Sequence, residues 1–486
     1  MVQVATATQT LSFGQNLRDR VFQGGVWLGT GSVIEQIVRF GRNMLLARIL
    51  APEAFGTMAI VLSTAAVVHT LTDMGVKEAI IQNPRGHEER YKGAAWWLAL
   101  GRGVSLYALL FFLAPLVAAF YGNAELRMLL RVTGIAVLFD STLSSYAYIA
   151  VKELRFSKWA FINHGGGIAG VLLTVVLSFV IKNVWALAIG YVAESLCRCA
   201  LSYALCPYRP PRAWDKEAIR DLLRFSRGLV GLSFLNLIFS RTDVFVLAKM
   251  CTAAQLGVYA LAVNLVQTPM IFMMNVLGQT LLPTFSLVRG DLSRANRILY
   301  KVSAAIVLLG LPALAFFVLC GRSLLTIVYG HRYSAAAGAL AVASCAGLIN
   351  LLNGQITTIF YSIGLPHLHR RAVAAMALVM ISAVYPFTKW YGITGTQLAC
   401  LAATIVGFSL QVSRLRRLSD LNCGQYLKSL FVAGGISTTV VAVCLASRSI
   451  QTLTRPGPNV ALGIAACLIA YGLAAAILNK EKRAVV

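Results

Sequence analysis

The chain has 486 residues, of which 58% are Ala, Val, Ile, Leu, Met, Phe, Trp, Tyr or Cys and only 13% are charged, with a mean hydropathy of +0.72. That leaves too little polar surface to clothe soluble domains, so the chain must use lipid as part of its solvent. The net charge of +25 would suggest nucleic acid in a soluble protein; here the placement of the basic residues explains it, and no nucleic-acid partner is expected.

Lipid offers the backbone no hydrogen bonds, so spanning segments are helices or a closed barrel. The apolar runs last about 20 residues, the length of a spanning helix, and lack the ten-residue alternation of a barrel strand. In chain order the expected spans are 23–48, 55–82, 92–119, 126–150, 158–181, 184–206, 225–249, 256–286, 299–320, 334–363, 370–389, 392–413, 428–447 and 459–478. This is an all-α membrane protein of about fourteen transmembrane helices. The opening MVQVATATQTLSFGQNLRDR shows no apolar core followed by a small-residue cleavage site, so the first span is expected to be an uncleaved anchor. The longest connection, around 207–224, carries Pro207, Pro210 and Pro211 and then a charged stretch.

Lys and Arg set the orientation. With the N-terminus inside, the cytoplasmic segments hold 27 of the 43 basic residues and the outer ones nine. That bias of three to one predicts an even number of spans with both termini cytoplasmic. An internal repeat supports the same arrangement. LARILAPEAFGTMAI at 46–60 aligns without a gap on LAKMCTAAQLGVYAL at 247–261, an offset of 201 residues that pairs Gly56 with Gly257. Duplicated halves are a usual construction of alternating-access transporters.

Seven cations fall inside predicted spans: Arg39, Arg42, Lys77, Arg102, Arg131, Arg198 and Arg241. A charge at the bilayer centre costs about 2.5–3.5 kcal/mol, so most must pair, snorkel or face a polar interior. Lys77 and Arg198, near span ends, suit snorkelling. Arg39, Arg42, Arg102, Arg131 and Arg241 are the candidate cationic lining. Glu35, Arg39 and Arg42 are spaced i, i+4, i+7 and share one helical face. Their equivalents at the repeat offset, Asn236, Ser240 and Asp243, form a second polar face. The pair of stripes points to a hydrophilic cavity; a salt bridge from Glu35 to Arg39 that merely ties the bundle is the alternative. Arginine suits an anionic cargo such as a diphosphate, because its planar fork binds phosphate oxygens bidentately. Glu35, Asp73, Asp140, Glu194 and Asp243 are candidates for a coupling proton or sodium ion.

No catalytic or cofactor motif appears. There is no Walker loop, HExxH or GxSxG, the ten cysteines are scattered as packing thiols, and neither a metal nor a cofactor is expected. His367 and His369 read as solvated. Gly165–Gly167 reads as close helix packing, with Gly166 and Gly170 giving a GxxxG face. An enzyme acting outside the membrane would need longer outer connections than these.

The stretches RFGRN at 39–43, LARILAPEAFGTMAIV at 46–61 and LTDMGVKEAIIQ at 71–82 resemble the opening of bacterial polysaccharide transporters of the multidrug/oligosaccharidyl-lipid/polysaccharide exporter superfamily. RTDVFVLAKMCTAAQLGVYALA at 241–262, LLPTFSLVRGD at 281–291 and IVYGHRY at 327–333 continue the resemblance in order. It implies a flippase for undecaprenyl-diphosphate-linked oligosaccharide, serving O-antigen, capsule or exopolysaccharide assembly beside polymerase machinery. It also implies two pseudo-symmetric six-helix lobes plus two C-terminal helices: an N-lobe at 1–206, a cytoplasmic linker at 207–224, a C-lobe at 225–413 and the extra pair within 414–486. Arg39, Arg42 and Arg241 would then meet the diphosphate or acidic sugars. A drug exporter or a peptidoglycan-precursor flippase of the same superfamily, a polysaccharide polymerase or ligase, and a non-transporting scaffold are the competing readings.

Overall fold

The computed structural model describes residues 27, 29–71, 75–211, 215–226, 230–419, 421–435, 457, 460–461 and 463–465. Every regular element among them is helical. Among the described residues eight helices are long and apolar enough to cross a membrane, nine if one bent pair counts as a span. The thirteenth and fourteenth expected spans lie largely outside the described residues.

The chain divides into two compact units, residues 1–50 with 60–234 and residues 51–59 with 235–486. The first unit holds α1 (29–49), most of α2 (Pro52–Leu71), α3 (Val76–Gln82), α4 (Glu89–Tyr121), α5 (Glu125–Ser141), α6 (Ser145–Lys152), α7 (Phe156–Ala160), α8 (Gly166–Ile181), α9 (Val184–Leu205) and α10 (Lys216–Ser226). Local chemistry sets the ends. Pro52 opens α2, where a missing N–H costs nothing. Asn183 caps α9 by accepting the Trp185 N–H at 2.9 Å. Leu106, Leu110, Ala65, Val68 and Val137 form one of its apolar cores.

Three expected spans come out differently. The run 55–82 is two helices, because α2 ends at Leu71 and α3 starts afresh after Gly75. The run 126–150 breaks after Ser141, and α5 and α6 meet at 53°. The run 158–181 is interrupted by a π-turn at Phe161–Gly165, which inserts an extra residue and rotates the side chains before it relative to those after it.

The second unit holds α11 (Val230–Met250), α12 (Ala253–Leu287), α13 (Leu292–Val328), α14 (Ala337–Ser362) and α15 (Pro366–Ser419). Thr252 and Gln255 close a capping box at the start of α12. The two spans expected at 370–389 and 392–413 run together as α15 and are separated only by a bend at Gly392, whose φ of 57° and ψ of −138° no side-chain-bearing residue adopts readily.

The repeat-related glycines meet in this unit. A Cβ on Gly56 would lie 1.9 Å from the Ala253 carbonyl oxygen, and one on Gly257 would lie 1.8 Å from that of Pro52. Pro52 and Ala253 are themselves 201 residues apart. The contact is therefore reciprocal, as a duplicated segment packed on its own copy requires. It also draws the first turn of α2 into the second unit.

Candidate functional site

Glu35 and Arg39 lie on one face of α1, and the Arg39 Nε donates to Glu35 Oε1 at 2.7 Å. A terminal nitrogen of the same guanidinium donates to Glu194 Oε1 on α9 at 2.5 Å. Arg198, one turn further along α9, also donates to Glu194 Oε1 and stands 3.8 Å from Asp140 of α5. Ser195 holds the other Asp140 oxygen at 3.0 Å. His164, on the π-turn, places Nδ1 2.6 Å from Glu35 Oε2. Glu35, Arg39, Asp140, His164, Glu194 and Arg198 thus form one network, with the Glu194 side chain only 6% exposed.

Glycines make room for it. A Cβ on Gly170 would sit 2.5 Å from Glu194 Cα, one on Gly166 would sit 2.9 Å from Arg198 Cα, one on Gly167 would meet Glu35 Oε1 at 2.6 Å, and one on Gly31 would strike the His164 ring. The GxxxG face therefore does what small residues do between membrane helices, and here the close approach seats charged side chains. A buried ion cluster is tolerable only when its charges are paired; here each carboxylate has a basic side chain within 3.8 Å, although Asp140 Oδ1 and Arg198 Nε make no hydrogen bond.

The pattern of pairing is specific. Arg39 has two carboxylate partners, and each has a second cationic or protonatable partner: His164 for Glu35, Arg198 for Glu194. Arg39 can turn away without leaving a buried carboxylate alone. The other candidates are placed elsewhere. Arg42 donates to the neighbouring Asn43 Oδ1 at 3.0 and 3.2 Å. Arg131 stacks on Phe111, 3.9 Å from the ring centroid, and Arg102 donates to the His69 carbonyl at 3.0 Å. Lys77 lies over Trp159 at 4.5 Å. Asp73 lies outside the described residues. In the second unit Arg241 is exposed. Asp243 accepts the Tyr259 hydroxyl at 2.6 Å, and Gln397 donates to that hydroxyl at 2.7 Å.

Two expectations change on contact with these distances. Arg198 is a member of the charged network and not a snorkelling residue, because its i, i+4 partner Glu194 faces inward. His369 is not solvated: it meets Thr357 Oγ1 at 3.1 Å and packs edge-on against Tyr361. His164 was not singled out at all. Its only signal is an imidazole in an apolar run directly before three glycines. Among the described residues no group of three or more His, Cys, Asp or Glu could hold a metal ion.

A multi-span helical fold with a network of ion pairs inside one unit defines an integral membrane protein with a polar cluster in its interior. The family described as "Polysaccharide biosynthesis protein" matches residues 45–338, more than half of the chain, and the chain belongs to that family. It is 23% identical over 439 residues to the lipopolysaccharide biosynthesis protein WzxC of Escherichia coli (strain K12), covering 89% of this chain and 88% of that one. It is also 23% identical to the succinoglycan biosynthesis transport protein ExoT of Rhizobium meliloti (strain 1021), over 83% and 81% of the two chains. The fold matches that of the lipid II flippase MurJ in an inward closed conformation, with a TM-score of 0.76 at 12% identity over 94% of this chain and 99% of that one. An inward-facing multidrug resistance transporter of the MATE family and MOP superfamily gives 0.58 at 13% identity over 80% and 96%.

Proposed function

We propose that this protein is a flippase that moves undecaprenyl-diphosphate-linked oligosaccharide repeat units across the bacterial inner membrane by ion-coupled alternating access, for surface or exopolysaccharide biosynthesis. It is a transporter and not an enzyme, and it works beside polysaccharide polymerase machinery. Membership of a polysaccharide biosynthesis family, the likeness to a lipopolysaccharide biosynthesis protein and a succinoglycan transport protein, and a fold shared with a lipid II flippase support this reading.

The observation that carries it is the sharing of Arg39 between Glu35 and Glu194. Each carboxylate keeps a partner when Arg39 leaves, so the guanidinium is available to a phosphate oxygen at low electrostatic cost. Arg42, three residues on, supplies a second guanidinium on the same helix. Glu35, Glu194 and Asp140 are the carboxylates on which a proton or sodium ion would act, with Asp243 the candidate of the second unit.

About fourteen spans with both termini cytoplasmic fit this function. The nine apolar candidates omit α1 and α11, the repeat-related helices whose charges set them apart. They also count α15 once, although Gly392 divides it.

The test is deletion of the gene in its host, with complementation by wild type, Arg39→Ala and Arg42→Ala at matched membrane levels. Wild type should restore surface polysaccharide and clear lipid-linked repeat units from the cytoplasmic face, and the arginine variants should not. Unchanged polysaccharide with no accumulation in the deletion strain would remove the proposal.

A further inference from the structure

The linker between the expected lobes carries a helix. Its helix α10 buries Ala218 and Leu222 against α3 and α4 in a core with Ala79, Ile80 and Tyr91, while Lys216, Arg220 and Arg224 are exposed. One apolar face, and one charged face on which three basic residues outnumber the single exposed acid Glu217, is the composition of a helix lying in the headgroup region. The surroundings agree. Trp96 donates to the Tyr203 hydroxyl at 2.8 Å, and Trp97 to the Pro211 carbonyl at 2.9 Å, while Lys92 lies over Tyr146 and Tyr208. Such a belt of Trp and Tyr marks the membrane–water boundary.

At that level α10 closes an open cavity of about 570 Å³ against the end of α3, lined by Gln82, Asn83, Arg85, Asp221 and Arg224 among others. Its volume falls in the roughly 300–1,000 Å³ range of small-ligand sites. Asp221 Oδ2 accepts from both Arg85 and the Tyr91 hydroxyl, each at 2.8 Å. That carboxylate is occupied, whereas Arg85 is still 47% exposed. Two guanidinium groups against one occupied carboxylate leave a net positive recess, with the amides of Gln82 and Asn83 beside it.

The geometry points to a binding site for the phosphodiester headgroup of an anionic membrane phospholipid, clamped between Arg85 and Arg224 and bordered by the two amides. This site is separate from the Arg39 network and does not depend on what the protein transports. A lipid held there ties the linker helix to the first unit at the membrane surface.

Binding to the purified full-length protein would be read by native mass spectrometry, with phosphatidylglycerol and phosphatidylcholine of equal chain length, undecaprenyl diphosphate and inorganic phosphate as probes. Phosphatidylglycerol should be retained over phosphatidylcholine. Arg224→Gln should weaken that preference about five-fold and Arg85→Gln with Arg224→Gln about 25-fold, near five-fold per interfacial arginine. Asp221→Asn should strengthen it, and this variant with single Arg224→Gln keeps the test open if the double variant fails to fold. Equal retention of the two phospholipids, or a preference untouched in Arg224→Gln and Asp221→Asn, would overturn the proposal. So would displacement of phosphatidylglycerol by equimolar undecaprenyl diphosphate, which would assign the recess to the transported lipid.

Discussion

Replacing Arg39 and replacing Glu194 should have opposite signatures, although the two side chains touch. Arg39→Ala removes two charge-assisted hydrogen bonds, each worth about 1.5–3 kcal/mol when its loss strands a partner. Neither partner is stranded here. Glu35 keeps His164 at 2.6 Å, and Glu194 keeps Arg198. The stability cost should therefore fall to about 1 kcal/mol, mostly lost packing of the arginine stem. Glu194→Ala removes the acceptor that two arginines share. Arg198 then faces only Asp140 at 3.8 Å, and a buried side chain leaves a void against Gly170, so the cost should be about 3 kcal/mol.

Thermal unfolding of both variants in lipid nanodiscs would measure the difference, and clearance of lipid-linked repeat units would measure function. Arg39→Ala should fold almost as well as wild type yet transport at least about tenfold more slowly, the least that losing a charge-assisted phosphate contact predicts. Glu194→Ala should lose stability first. If Arg39→Ala proves as unstable as Glu194→Ala, the standby partners do not function as described. If it is stable and transports normally, Arg39 does not meet the cargo.

Gly170→Leu drives a side chain into the Glu194 backbone, since even a Cβ would stand 2.5 Å from Glu194 Cα; a loss of about 1–3 kcal/mol is expected, read as reduced folded yield, and normal yield would refute the close approach. Tyr259→Phe takes the partner from Asp243 Oδ2 and from the Gln397 amide, leaving Asp243 the Val244 N–H, and should cost about 1–3 kcal/mol in thermal unfolding, whereas a change under about 0.5 kcal/mol would mean water replaces the hydroxyl. Arg131→Gln loses the stack on Phe111, worth about 0.5–2 kcal/mol, and should leave transport intact in the same clearance assay. Transport lost at normal stability would move Arg131 into the pathway.

What was legible in the sequence follows from which interactions are local. An apolar run of spanning length can only be helical in lipid, so the class of fold was readable from composition. Glu35 and Arg39 are one helical turn apart, and their ion pair follows from periodicity alone. The duplication was readable because glycine is irreplaceable where two backbones touch, and Gly56 and Gly257 do touch each other's segments. The breaks were harder. The run 126–150 does carry a polar stretch at the bend, Asp140, Ser141, Thr142, Ser144 and Ser145, but the apolar run continues past it at spanning length, and the unusual dihedral of Gly392 leaves the helical pattern on either side intact.

The partners of the charged network were the least legible part, and the reason is geometric. An ideal helix through 158–181 fixes each side chain's direction by its number, and on that count His164 belongs to no recognisable stripe. The π-turn at Phe161–Gly165 resets the count by one residue and brings the imidazole to Glu35, 129 positions away in sequence. Pairing of Glu194 with Arg39 likewise depends on α8 and α9 approaching until Gly170 meets a backbone carbon. The sequence shows which groups cannot face lipid. Which of them meet is decided by helix contacts that only small residues permit, and at this site those contacts give both carboxylate partners of Arg39 a second basic neighbour.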